Sequence, residues 1–189
     1  MEHLAKKLTD YIFKKGIITE ESLEIYQYGF QCFLELSAST VCSIIIALFL
    51  GMIPECLFFF LLFIPMRSFG GGLHMKTYFA CFIGSCLILF STLLAVKYIT
   101  IPVFIAFGLY IFTAILILII GPVDHPNREV DAQDNLTFIK RTHFTILISL
   151  LLALFFVFTR NTRYMFLQAI VFTFIFITSL IGRLIYKQP

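Results

Sequence analysis

Charge is scarce in this sequence. Asp, Glu, Lys and Arg make up 13% of its 189 residues and hydrophobic residues 60%, and the mean hydropathy of +0.96 exceeds what a soluble domain of this length keeps dissolved. That excludes a water-soluble globular enzyme and points to an integral membrane protein. The start of the chain, MEHLAKKLTDYIFKKG, lacks the pattern of a cleaved signal peptide, so the first long apolar run is expected to serve as an uncleaved anchor. Paired cysteine spacing is missing as well. Five cysteines, an odd number mostly inside apolar segments, argue against a disulfide framework or a zinc site; they read as free thiols, with no metal or organic cofactor implied. The formal charge of +3 carries no nucleic-acid signature, because an uneven distribution of cations across a membrane accounts for most of it. The chain has no internal repeat and no low-complexity tract.

The apolar runs predict an all-α, polytopic membrane protein forming a single domain over residues 1–189. Residues 1–30 are expected to form an interfacial amphipathic helix, because Leu4, Leu8, Tyr11 and Ile12 recur at helical spacing with Lys6, Lys7, Lys14 and Lys15 largely on other faces. Residues 31–189 hold about six hydrophobic helical segments. Phe33 to Ile53 is long enough to span, Glu35 being its only charge, whereas Leu57 to Met66 is short, ends at Pro65 and has a re-entrant alternative. Thr77 to Val96, Ile101 to Ile120, His143 to Phe158 and Met165 to Ile185 complete the set. If all six cross, eleven of the fourteen Lys and Arg residues fall on one side, with Lys97, Arg160 and Arg163 on the other. The positive-inside rule then puts both termini, the segment RSFGGGLHMK and the loop GPVDHPNREVD in the cytoplasm.

Between two very apolar runs lies RSFGGGLHMKTYFAC, residues 67–81. A thiol becomes a nucleophile as its thiolate, which needs a base or a positive neighbour, and His74 lies seven residues before Cys81 with Arg67 and Lys76 nearby. On one continuous helix the two would lie about 10 Å apart along the axis, too far to share a proton. The expectation is therefore that Gly70, Gly71 and Gly72 fold the chain back, leaving His74 on a loop above a helix that starts near Thr77, its N-cap. The helix N-terminal dipole would favour a Cys81 thiolate in the first turns. Cys32, Cys42, Cys56 and Cys86 read as packing thiols. An acid at membrane depth is costly unless paired, so Glu35 is a candidate partner for His74 or Arg67.

These residues resemble a known family. RSFGGGLHMKTYFAC matches the Arg-x3-Gly-Gly-x-His-x6-Cys signature of the accessory gene regulator protein B family, and Pro122, Val123, Pro126 and Asn127 fall in that family's Pro-Val-x-x-Pro-Asn loop. Tyr28, Gly29 and Glu35 approximate its Tyr-Gly-x3-Glu entry to the first span. The resemblance implies a cysteine endopeptidase of the bacterial cell membrane that processes a quorum-sensing propeptide, with Cys81 as nucleophile, His74 as base and acid, and Arg67, Gly71 and Gly72 in support. In that scheme the propeptide is cut before an acidic C-terminal tail, a thioester joins the retained part to the enzyme, and an internal Cys or Ser closes a thiolactone or lactone ring. It also suggests a homodimer. An acidic tail would be drawn to Lys76, Arg128, Lys140 and Arg141, which the positive-inside rule explains equally well. Two other readings stand beside it: a small transporter or peptide-export component, since an intramembrane acid among several spans also marks carriers, and a non-catalytic membrane scaffold or signalling partner, which treats Cys81 as packing and the glycines as helix-crossing residues.

Overall fold

The computed structural model describes residues 2–73, 77–123 and 132–186, and within them 88% of the structure is helical with seven helices and no strands. The helices are α1 (Glu2–Lys14), α2 (Leu23–Leu50), α3 (Ile53–Gly70), α4 (Tyr78–Tyr98), α5 (Val103–Ile120), α6 (Ala132–Phe158) and α7 (Thr162–Tyr186). All but α1 are long and apolar enough to cross a membrane. The expected all-α polytopic architecture is what the chain adopts.

Two compact units divide the chain, Met1–Ile46 and Ala47–Pro189. In the first, α1 ends where Ile17 N–H bonds Ile12 O and Gly16 N–H bonds Phe13 O, a Schellman pattern. The amphipathic helix is thus half the length expected, and α2 starts at Leu23, ten residues before the strongly apolar run that marked the first span. The reason is that α2's opening turns, LEIYQYGFQ, propagate a helix without being continuously apolar. Leu4, Leu8 and Tyr11 remain exposed on α1, the disposition a helix lying at a membrane surface requires.

In the second unit α7 is the hub, packing against α3, α4, α5 and α6. More than half of its apolar window is buried (56%), against a third or less for every other candidate span. Tyr110 of α5 and Gln168 of α7 meet at Ser149 of α6, the Tyr110 hydroxyl 2.7 Å from Ser149 Oγ and Gln168 Nε2 donating to Ser149 O at 2.6 Å. Such bonds specify helix neighbours where lipid supplies no hydrophobic contrast. The second apolar run does not stop at Pro65: α3 continues to Gly70, about 27 Å of helix, slightly short of a bilayer core. Pro65 removes one backbone donor, and the bonds on either side carry the helix through.

The helices of this unit alternate in direction. At one end Lys97 Nζ, near the end of α4, donates to Leu50 O at 2.8 Å, and Arg163 in the first turn of α7 pairs with Glu55 in the first turn of α3 at 2.8 Å. Glu55 is buried. Its charge tolerates that position because a guanidinium meets it.

Candidate active site

At the opposite end, α3 terminates at Gly70 because Gly71 (φ +66°) and Gly72 (φ +120°) take backbone conformations that side chains disfavour. The turn lets two distant segments meet. Gly71 forms an isolated parallel bridge with Val123, in which Val123 N–H donates to Gly70 O (2.9 Å) and Gly72 N–H to Val123 O (3.3 Å). Leu73 N–H then reaches Thr178 O in α7 at 3.0 Å. A Cβ on Gly71 would collide with the Val123 carbonyl and one on Gly72 with the Arg67 guanidinium.

Arg67 clamps this turn from within α3. Its Nη1 donates to Gly71 O at 2.8 Å and its Nη2 to Leu73 O, a use that suits a planar fork with several donors. On α7, Arg183 Nη1 donates to Ile120 O at 2.8 Å, placing a cation against the C-terminal carbonyls of α5. Gly182 between them permits the close approach, since a Cβ there would stand 2.9 Å from Leu73 N and 3.0 Å from Gly72 C. Residues 67–73 and 121–123 are therefore held together on one stretch of α7.

Leu73 immediately precedes His74 in the chain. His74, Lys76 and Arg128 lie outside the described residues, as do Pro126 and Asn127 of the second motif. The chain re-enters at Thr77, whose side chain accepts from Ala80 N–H (3.3 Å) as the expected N-cap, and α4 begins at Tyr78. No helix runs unbroken from α3 to Cys81. Cys81 makes the first main-chain helical bond, its N–H to Thr77 O at 3.2 Å. Helical side chains lean toward the N-terminus, so its thiol leans toward the preceding turn and the start of α4.

The remaining cysteines fall elsewhere. Cys56 is buried, Cys32 is exposed, and Cys42, Cys86 and Cys81 are half-buried, all five as free thiols. Burial therefore does not single out Cys81; position at a capped helix start does. Gly72 and Leu73 N–H are spent on Val123 and Thr178, and Ala80 and Cys81 N–H on Thr77.

Arg141 of α6 lies over the Phe69 ring at 5.3 Å, which brings one proposed tail-binding cation beside the Arg67 turn. Lys140, next to it, is exposed. Glu35 belongs to the first unit, where its Oε1 accepts from Gln31 Nε2 at 3.0 Å. Thr178, Gly182 and Arg183 were not legible as site residues, because nothing in spacing links them to a motif a hundred residues earlier. Glu55 carried a signal that hydropathy passed over, an acid within the first turn of a span.

A family model described as Accessory gene regulator B matches residues 5–181. The chain belongs to that family. No curated protein and no solved structure matches it. Membership in the accessory gene regulator B family carries the family's general role, processing of autoinducing peptides in quorum sensing, and with the six apolar helices among the described residues it makes this a multi-pass membrane protein. The first two of the three motifs that suggested the family meet at the Gly71–Val123 bridge.

Proposed function

We propose that this protein is a membrane-embedded cysteine endopeptidase that cuts the C-terminal tail from an autoinducing-peptide precursor and passes the acyl group on to ring closure. The observation that carries the reading is the clamp of Arg67, Gly71, Gly72 and Val123 on the backbone that leads into His74, followed by a capped helix start that carries Cys81.

The Cys81 thiolate attacks the scissile carbonyl, and the tetrahedral oxyanion accepts hydrogen bonds from first-turn amides of α4. Collapse breaks the C–N bond, His74 gives a proton to the departing amine, and a thioester remains on Cys81. An internal Cys or Ser of the peptide then attacks the thioester; His74 takes its proton and Cys81 leaves as thiolate. Exchange of one thioester for another is nearly balanced, whereas building a thiolactone directly from an amide is uphill. Hydrolysis competes at each turnover, so apolar walls that limit water favour ring closure.

Arg67, Lys140, Arg141 and Arg183 lie toward the clamp end of their helices and Lys97, Arg160 and Arg163 toward the other, which supports a cytoplasmic site under the positive-inside rule. In this reading Arg141, which lies over Phe69 beside the clamp, and the adjacent Lys140 receive the acidic tail.

Co-expression with the cognate precursor tests the reading. Cleavage is expected to vanish in Cys81→Ala and His74→Ala and to persist in Cys86→Ala, which lies on the same helix about 140° around from Cys81. Cleavage by Cys81→Ala at equal insertion would overturn Cys81 as the nucleophile and favour the transporter or scaffold reading.

A further inference from the structure

At the end of the second unit remote from the clamp lies a cavity of about 430 Å3, between the last turn of α4, the connection to α5 and the first turn of α7. Thr162 in its wall and Thr178 at the clamp are about 24 Å apart along α7, so the cavity is no part of the site above. Its inner wall is apolar, with Val96 and Phe166 buried, and its mouth carries Lys97, Thr100, Thr162 and Arg163.

We propose that this cavity holds the phosphate of an anionic phospholipid, with the lipid's glycerol and upper acyl carbons against Val96 and Phe166. Both cations are fixed beforehand by one bond each, Lys97 Nζ to Leu50 O and Arg163 Nε to Glu55 Oε1. An ammonium has three donors and a guanidinium five, so each retains N–H groups for a phosphate. Because the side chains are already held, little rotamer freedom is lost when the ligand binds. Glu55 offsets the charge of Arg163, while Lys97 and the N-terminus of α7 leave the mouth net positive. The lipid is favoured over a free anion by position: the cations sit at the ends of spans, at headgroup level, and the wall below them is apolar.

Native mass spectrometry of the full chain in detergent, titrated with phosphatidylglycerol, phosphatidylcholine or inorganic phosphate, tests this. Phosphatidylglycerol is expected to remain bound, and Lys97→Gln, which removes one charge-assisted contact, and Thr100→Glu, which sets a repelling carboxylate at the mouth, should each weaken it about tenfold. Arg160→Gln is the control: that cation lies at the same end and faces the Phe104 ring at 5.8 Å without lining the cavity, and its replacement should change binding by less than about twofold. An equal loss in Arg160→Gln would mean a diffuse surface field and overturn the site. Unchanged binding in both cavity variants, equal retention of phosphatidylcholine, or displacement of the lipid by equimolar inorganic phosphate or by an acidic peptide would overturn it as well. Thermal unfolding matched to wild type certifies the folding of each variant.

Discussion

Arg67 and Gly182 both meet the backbone of residues 71–73, Arg67 at the Gly71 and Leu73 carbonyls and Gly182 beside Leu73 N and Gly72 C. Arg67→Lys keeps the charge but offers one ammonium where a fork met two carbonyls; precursor cleavage is expected to fall about tenfold at equal insertion, scored by immunoblot of precursor and product. Gly182→Ala is the sharper test. Alanine raises intrinsic helix propensity by about 1 kcal/mol, yet its Cβ would stand 2.9 Å from Leu73 N. Cleavage should drop through kcat more than KM while α7 stays helical and inserted, because the displaced backbone leads directly to His74. Wild-type turnover in this variant would mean that Leu73 has room to move and that α7 does not position the loop. Thr77 and the glycine turn were legible beforehand because capping and positive φ are local properties. Gly182 was not, because a glycine in an apolar helix reads first as packing.

Elements carry the next level of prediction. α6 brings Arg141 over Phe69, beside the clamp, so Lys140→Glu combined with Arg141→Glu should raise KM for an acid-tailed precursor about tenfold and leave kcat nearly unchanged. A precursor with a neutralised tail is the control, and an equal effect on both would remove tail capture from the scheme. Hydropathy located each span but misjudged where α2 and α6 begin and where α3 ends. It registers where apolar residues dominate, whereas a helix extends as far as its backbone bonds propagate, through LEIYQYGFQ in α2, through the polar residues before His143 in α6 and through Pro65 in α3.

For the whole molecule, the Glu55–Arg163 pair ties the first turn of α3 to that of α7 at the end remote from the clamp. Arg163→Gln strands a buried carboxylate and is expected to cost about 1–3 kcal/mol, less than a fully buried pair because Arg163 is half exposed. The double change Glu55→Gln with Arg163→Gln should recover most of that loss, read as the thermal midpoint in detergent. Failure to recover would mean that Arg163 stabilises the bundle through contacts other than Glu55.

The sequence by itself determined the membrane class, the number of spans, the glycine turn and the capped start of α4, because each rests on composition or on residues within a few positions of one another. Only the tertiary structure decided that residues 67–73 and 121–123 share one bridge, that α7 supplies their support through Thr178, Gly182 and Arg183, and that Glu55 answers Arg163. Those pairings join backbone atoms and charges on helices far apart in the chain. Periodicity records which face of a helix is apolar, and it holds no information on which partner that face will meet.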